Sequence, residues 1–158
     1  MKNKLLLLPA LLISSISLTS CGGDTTYWNY IEIPDYVSSY DKVTLEFKGE
    51  SGNQTYESEN PTMVLAFIKT FESSKVSPWT IEEPLEFVDG VKCTFSNSTS
   101  EYYVCVNNHS QVYINEDGIY SEAPHYDSLL YFLTNNFELY KDYFTEVGGG
   151  ETVWLLTF

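Results

Sequence analysis

The spacing of apolar residues predicts two strands in the first half of the chain. They cover 27–33 and 42–48, the second because apolar side chains alternate strictly with polar ones at Val43, Leu45 and Phe47. The residues between these strands are predicted to form a loop. A polar loop is also expected over 49–59, with a short strand around Tyr56 as an alternative.

Two later segments carry apolar residues at the spacing of an amphipathic helix. The first begins at Asn60, a favourable N-cap, with Pro61 at the first helical position. Its apolar face is formed by Val64, Phe67, Ile68 and Phe71. The second begins at Asp127 or just before it and runs to about Phe144, with an apolar face at Leu129, Leu133, Phe137, Tyr140 and Phe144. We expect both faces to pack on a sheet.

The centre of the chain predicts β-hairpins, the first from 85–87 and 91–95 around an Asp-Gly turn. A two-residue turn would place Glu86 beside Cys93, whereas a three-residue loop with glycine at the bulge position places Leu85 there. We favour the second register because it gathers apolar side chains on one face, at Leu85, Phe87, Val91, Cys93 and Phe95.

Further strands are predicted at 102–106, 111–115 and 119–121, the last two joined by a turn at 116–118. Three consecutive glycines end the second helical segment, and 152–158 has the β-favouring content of a final strand. The pattern predicts an α+β fold, with a mainly antiparallel sheet of about six to seven strands covered by two helices.

The N-terminal segment has the layout of an export signal. Lys2 and Lys4 give it a positive start, and the apolar stretch 5–18 is about 14 residues long, too short to span a bilayer. A leucine, two small residues and a cysteine then follow, at Leu18, Thr19, Ser20 and Cys21. This arrangement resembles the lipobox of bacterial lipoproteins.

The resemblance implies that 1–20 is a signal peptide and that the Cys21 thiol receives lipid, to which palmitate contributes. The protein would then be exported and lipid-anchored at the cell membrane or outer membrane. Residues 21–26 would form a flexible tether, and 27–158 a single domain. A simple secretory signal and an uncleaved anchor helix are the alternatives. Cleavage after Ser20 without lipidation would leave a free thiol, which an oxidising compartment disfavours.

The other two cysteines are predicted to form a disulfide. Folding the two central strands symmetrically about Thr99 places Cys93 opposite Cys105, and lipidation of Cys21 leaves these as the remaining thiols outside the reducing cytosol. The bridge would close a loop of about a dozen residues and stabilise the fold by roughly 2–3 kcal/mol. A redox-active pair is not favoured, because the spacing differs from Cys-x-x-Cys.

The charge composition of the chain argues against a nucleic-acid partner. The chain has 22 acidic residues against 8 basic ones, all of them lysine. Loss of the two signal-peptide lysines leaves 6, so the mature net charge is −16 with neutral histidines. No nucleic-acid partner is expected, because arginine is absent.

Aromatic residues reach 16%, including 13 tyrosines. Strands explain most of them, and stacking platforms for sugars or peptides are the alternative.

No catalytic residue, cofactor or metal site is predicted. His109 in a polar turn and His125 before the second helix lie in no metal-ligand or triad pattern. The adjacent acids Glu82 and Glu83 would suit a glycosidase, but so acidic a chain contains such pairs by chance. The segment 115–118 lacks the ligands of a complete calcium loop and is interpreted as a turn.

The expected function is a non-catalytic binding or interaction module at the cell envelope. The aromatic clusters 27–30 and 102–103 are candidate contact surfaces, with core packing as the favoured alternative for each. Partners are expected to be the membrane, through the lipid anchor, and an envelope protein, peptide or glycan. A structural or assembly accessory of an envelope complex is the alternative, and a glycan or peptide hydrolase is less favoured.

Overall fold

A computed structural model describes residues 28–49, 52–81, 89–115, 118–122 and 128–149. Their helices are α1 (Pro61–Glu72) and α2 (Leu129–Tyr140). Their strands are β1 (Asn29–Tyr30), β2 (Lys42–Gly49), β3 (Gly52–Ser58), β4 (Lys75–Val76), β5 (Gly90–Ser96), β6 (Glu101–Asn107), β7 (Gln111–Ile114), β8 (Gly118–Ser121) and β9 (Thr145–Gly148).

Seven of these strands form one sheet in the order β8-β7-β6-β5-β2-β3-β9, and every neighbouring pair is antiparallel. The strands β1 and β4 form a separate two-stranded antiparallel ladder. The predicted α+β fold, with a mainly antiparallel sheet and two helices, is therefore confirmed.

Both helices pack on one face of the sheet and bury the predicted apolar stripes. Val64, Phe67 and Phe71 of α1 are fully buried, as is Leu133 of α2. They share a core with alternate residues of the central strands, namely Val43, Leu45, Val91, Cys93, Phe95, Val104 and Val106. The predicted start of α1 is also confirmed, because the Asn60 side chain accepts a hydrogen bond from the Thr62 N–H at 2.9 Å and Pro61 follows the cap.

Three early segments differ from the sequence prediction. The strand expected over 27–33 is shorter, with two residues in β1, and the loop that follows contains a 3-10 helix (Asp35–Ser39). The strand around Tyr56, given as the alternative to a polar loop before α1, is present and longer than expected, because β3 has seven residues and pairs with β2 along its length. Its side chains are mostly polar, so backbone pairing rather than apolar alternation defines this strand.

The predicted local hairpin around the Asp-Gly turn is wrong for β5. Val91 pairs with Phe47 of β2 on one edge and with Val106 of β6 on the other. Because both edges of β5 are occupied, Val91 is not available for the pairing with Phe87 that follows from placing Leu85 beside Cys93. The first strand of that hairpin, 85–87, lies outside the described residues.

The C-terminal part of the domain forms an additional strand. The helix α2 ends at Tyr140, a 3-10 helix (Lys141–Tyr143) follows, and β9 then adds to the edge of the sheet beside β3. The sequence predicted helix up to Phe144 and no strand before the glycines. The predicted start at Asp127 and the predicted strand 152–158 lie outside the described residues. No helix in the described part of the chain is long and apolar enough to cross a membrane.

The predicted disulfide is wrong. Cys93 lies opposite Val104, and Cys105 lies opposite Lys92. Four residues connect the strands, because Ser96 pairs with Glu101, and this even-numbered loop shifts the register by one position from symmetry about Thr99. A shift of one residue moves a side chain to the other face of a sheet. Both cysteines are buried free thiols.

Candidate functional site

An open groove lies where the β1–β4 ladder meets the ends of β7 and β8. Its volume is about 530 Å³, which falls within the range of about 300–1,000 Å³ typical of ligand pockets. It is lined by Trp28, Asn29, Tyr30, Ile31, Glu32, Val76, Ser77, Ile114 and Tyr120. The groove therefore combines apolar, aromatic and polar side chains.

The floor of the groove belongs to the hydrophobic core. Ile31, Val76 and Ile114 are all nearly inaccessible to solvent and pack in the same cluster as the helix-covered face of the sheet. The polar lining residues Asn29 and Glu32 are exposed, and Tyr30 is 57% exposed. An apolar floor below a polar and aromatic rim can bind an amphipathic ligand without burying unpaired charge.

Backbone hydrogen bonds fix the β1–β4 ladder in place. Asn29 lies opposite Val76, and the Ile31 N–H donates to the Ser74 carbonyl at 3.1 Å. The segment after β4 runs along the outer edge of β8, because the N–H groups of Ser77 and Ile81 donate to carbonyls of β8 at 2.8 and 2.7 Å. The rim of the groove is thereby attached to the main sheet.

A lysine of the β1–β4 ladder lies against the aromatic rim of the groove. The Lys75 ammonium lies 4.5 Å from the centre of the Tyr30 ring, directly across the ladder. Such cation–π contacts contribute about 0.5–1 kcal/mol at exposed sites. Glu32 adds an exposed carboxylate two residues further along the same segment.

The structure separates the two predicted aromatic clusters. Trp28, Asn29 and Tyr30 line the groove, while Tyr27 lies outside the described residues. Tyr102 is only 2% exposed and belongs to the core, and Tyr103 is half-buried on the opposite face of the sheet. Sequence reasoning missed the lining residues that come from later parts of the chain, because only the topology brings them close to Tyr30. They are Val76, Ser77, Ile114 and Tyr120.

The remaining predicted residues do not form a second site within the described chain. His109 lies exposed in the turn between β6 and β7. Cys21, His125 and the pair Glu82-Glu83 lie outside the described residues. Among the described residues, no group of three histidine, cysteine or acidic side chains is arranged to bind a metal ion.

A row of paired residues crosses the other face of the sheet and was not predicted from the sequence. From β2 to β8 it consists of Glu46, Lys92, Cys105, Tyr113 and Ile119. The Lys92 ammonium lies 3.8 Å from the Glu46 carboxylate and 4.7 Å from the centre of the Tyr103 ring. Burial raises the pKa of Glu46, and the attraction of Lys92 only partly opposes that shift.

The thiol in this row is a poor nucleophile. Cys105 is fully buried, and desolvation raises its pKa to about 12. Because the thiolate is the reactive form, a thiol with so high a pKa reacts slowly near neutral pH. The residues of this row therefore pack against one another on the second face of the sheet, and the groove is the better candidate for a functional site.

Comparisons of the chain with protein-family models, with curated proteins and with solved structures found no match. The structure itself therefore describes the class of molecule. It is an α+β domain with a groove beside the β1–β4 ladder.

Proposed function

We propose that this chain is an exported, lipid-anchored binding module whose ligand occupies the groove beside β1. The observation that supports it best is the groove itself, in which the aromatic residues Trp28 and Tyr30 stand over an apolar floor. Cys21 is the proposed lipid attachment site, and the ligand is a component of the cell envelope.

The position of the groove in the chain fits an anchored receptor. Trp28 follows Cys21 by seven residues, so an extended tether reaches at most about 25 Å. A ligand bound beside β1 would then lie close to the membrane surface. The mature charge of −16 repels anionic lipid head groups and would keep the domain from lying flat on the membrane.

The anchor is tested by metabolic labelling of the full chain with radioactive palmitate. We expect label in the wild-type protein and in a Cys105→Ala variant, and none in Cys21→Ala. We also expect Cys21→Ala to leave the membrane fraction, since two acyl chains hold a protein on a bilayer where one hardly does. Equal labelling of Cys21→Ala would contradict the anchor.

The groove is tested with two matched tryptophan variants. Trp28 lines the groove, whereas Trp79 is 74% exposed and does not. We expect Trp28→Ala to weaken the binding of envelope fragments, peptide or glycan, by at least about tenfold, which is about 1.4 kcal/mol. Trp79→Ala should bind as the wild type does. Equal effects of the two substitutions would place the ligand elsewhere.

An assembly accessory is the second candidate function, and the outer surface of the helices favours it. On α2, Leu139 is 72% exposed and Phe132 is 41% exposed, and Tyr143 in the 3-10 helix that follows is 57% exposed. Exposed apolar residues that form one patch are typical of a protein interface. This function predicts that a fixed protein partner co-purifies after mild extraction and is lost in Leu139→Glu. Retention of that partner by Leu139→Glu would contradict it.

A further inference from the structure

We infer that the ligand of the groove is a basic peptide in an extended conformation, which adds as a further strand to the edge of β1 that points away from β4. This inference rests on the proposed binding function of the groove and specifies its ligand. It depends on the direction of the β1 backbone groups and on the charge around them.

The backbone of β1 presents hydrogen-bonding groups away from β4. In an antiparallel pair the N–H and C=O groups of successive residues point alternately toward and away from the partner strand. The Ile31 N–H donates to the Ser74 carbonyl, so Ile31 faces β4, and Asn29, two residues earlier in the same ladder, faces it as well. The groups of Tyr30 and Glu32 consequently point to the other edge.

That edge fits a peptide strand better than it fits a glycan. Among the described residues no strand pairs with it, and β4 is the one described partner of β1. Tyr30 and Glu32 are two residues apart, which places their backbone groups about 7 Å from each other, the repeat of an extended peptide. Strand addition obtains affinity from main-chain hydrogen bonds and specificity from side-chain pockets, and the groove provides a pocket beside the edge.

Charge favours a basic peptide. The mature chain carries −16, and Glu32 is exposed at the edge. The Lys75 ammonium, 4.5 Å from the centre of the Tyr30 ring, adds one positive charge beside the edge, which the net charge of the chain far exceeds. A lysine side chain of the ligand would meet the Glu32 carboxylate, whereas an acidic peptide would be repelled by the net negative charge.

The first experiment compares three probes on the full chain in a neutral detergent, with fluorescence anisotropy as the readout. The probes are a peptide of about ten residues that alternates lysine and valine, its glutamate–valine counterpart and a neutral chitin oligosaccharide. We expect the lysine peptide to bind at least about tenfold more tightly than the other two. Binding should weaken as NaCl rises from about 50 to about 500 mM.

The second experiment tests strand addition with backbone N-methylation. Methyl groups on alternate amides of the lysine peptide remove the donors of one edge and leave those of the other intact. We expect one alternating pattern to abolish binding and the complementary pattern to preserve it, because an added strand pairs through a single edge. Equal effects of both patterns would overturn strand addition.

Matched variants locate the peptide. Tyr30 and Tyr143 are both 57% exposed, but only Tyr30 lines the groove. Tyr30→Ala and Glu32→Gln should weaken binding of the lysine peptide, and Tyr143→Ala should not, with thermal unfolding used to verify that each variant is folded. Lysine-peptide binding that survives Tyr30→Ala and Glu32→Gln unchanged would overturn the inference.

The outcomes separate this inference from the proposed function. Oligosaccharide binding that is lost in Trp28→Ala, without lysine-peptide binding, would keep the groove as a binding site and overturn the peptide ligand. Failure of all three probes to bind would count against both proposals.

Discussion

Cys93 and Cys105 lie on adjacent strands, yet their thiols point to opposite faces of the sheet. Cys93 packs in the helix-covered core, and Cys105 packs with Tyr113 and Ile119 on the other face. Burial raises the pKa of both thiols, that of Cys105 to about 12. At the scale of single residues, these cysteines therefore act as small apolar side chains.

We accordingly expect Cys93 and Cys105 to be free thiols in protein purified without reductant. Iodoacetamide should label Cys93 and Cys105 slowly in the native protein and rapidly after denaturation, as measured by mass spectrometry. Reductant should leave the free energy of unfolding unchanged, whereas loss of a native disulfide would lower it by about 2–5 kcal/mol. A mass lower by two hydrogen atoms, restored by reductant, would contradict the observed register.

Glu122 accepts a hydrogen bond at the start of α2, and its raised pKa predicts that the stability of the fold depends on pH. Its carboxylate accepts a hydrogen bond from the Leu129 N–H at 2.9 Å. Burial raises its pKa above the ordinary 4.5, although bonds to Leu129 and Ser110 oppose the shift. A raised pKa means that the folded state prefers the protonated form. The contribution of protonated Glu122 to the free energy of unfolding is therefore full below the ordinary pKa. It is lost as pH rises through the raised pKa.

The substitution Glu122→Gln keeps the hydrogen-bond acceptor and removes the charge. We expect the variant to match the wild type near pH 4 and to become more stable than it as pH rises above that, as measured by urea unfolding at several pH values. The control is Glu72→Gln, an exposed residue at the end of α1. A Glu122→Gln variant that is less stable by the same amount at every pH would show that burial of the charge has no net cost.

At the scale of elements, α2 is held to the sheet by a cluster of aromatic rings around Phe137. Its ring centre lies 4.5 Å from that of Tyr56 on β3 and 4.9 Å from that of Phe47 on β2. Asn136 adds a hydrogen bond of 2.6 Å to Thr70 on α1. One turn of α2 therefore contacts the sheet and the other helix.

Removal of the Phe137 ring should cost about 3–5 kcal/mol of unfolding free energy, because a buried cavity would remain. The matched control is Leu139→Ala on the same helix, where the side chain is 72% exposed and the change should stay within about 0.5 kcal/mol. Chemical denaturation of both variants measures the difference. Similar losses for Phe137→Ala and Leu139→Ala would contradict this packing.

Elements with local signals were predictable, and those defined by distant pairing were not. Asn60 and Pro61 mark the start of α1, and apolar spacing marks the buried faces of both helices. The strands β3 and β9 have no apolar alternation, so only their partners define them. The number of residues in the β5–β6 turn, odd or even, decides on which face of the sheet Cys105 lies. The composition of the turn does not show that number. Likewise, the sequence indicated Trp28 and Tyr30 but not the strands that complete their groove.

At the scale of the whole molecule, negative charge exceeds what its ion pairs can neutralise. Three of these pairs are Lys42–Glu57 at 3.2 Å, Lys141–Glu138 at 3.7 Å and Lys92–Glu46 at 3.8 Å. Such partly exposed pairs contribute about 0–1 kcal/mol each. The full chain has 22 acids and 8 lysines, so most carboxylates repel one another in the compact state.

Salt should therefore stabilise this fold. Raising NaCl from about 10 mM to about 500 mM shortens the Debye length from about 30 Å to less than 8 Å, which screens long-range repulsion more than it weakens contacts below 4 Å. We expect the free energy of unfolding to rise with salt in the full chain. A double variant, Glu72→Gln with Glu146→Gln, removes two exposed carboxylates. It should be more stable than the wild type at low salt and show a smaller salt dependence. If salt instead lowered stability in both proteins, the three ion pairs would outweigh the net charge, and the same balance would weaken the case for a basic ligand at β1.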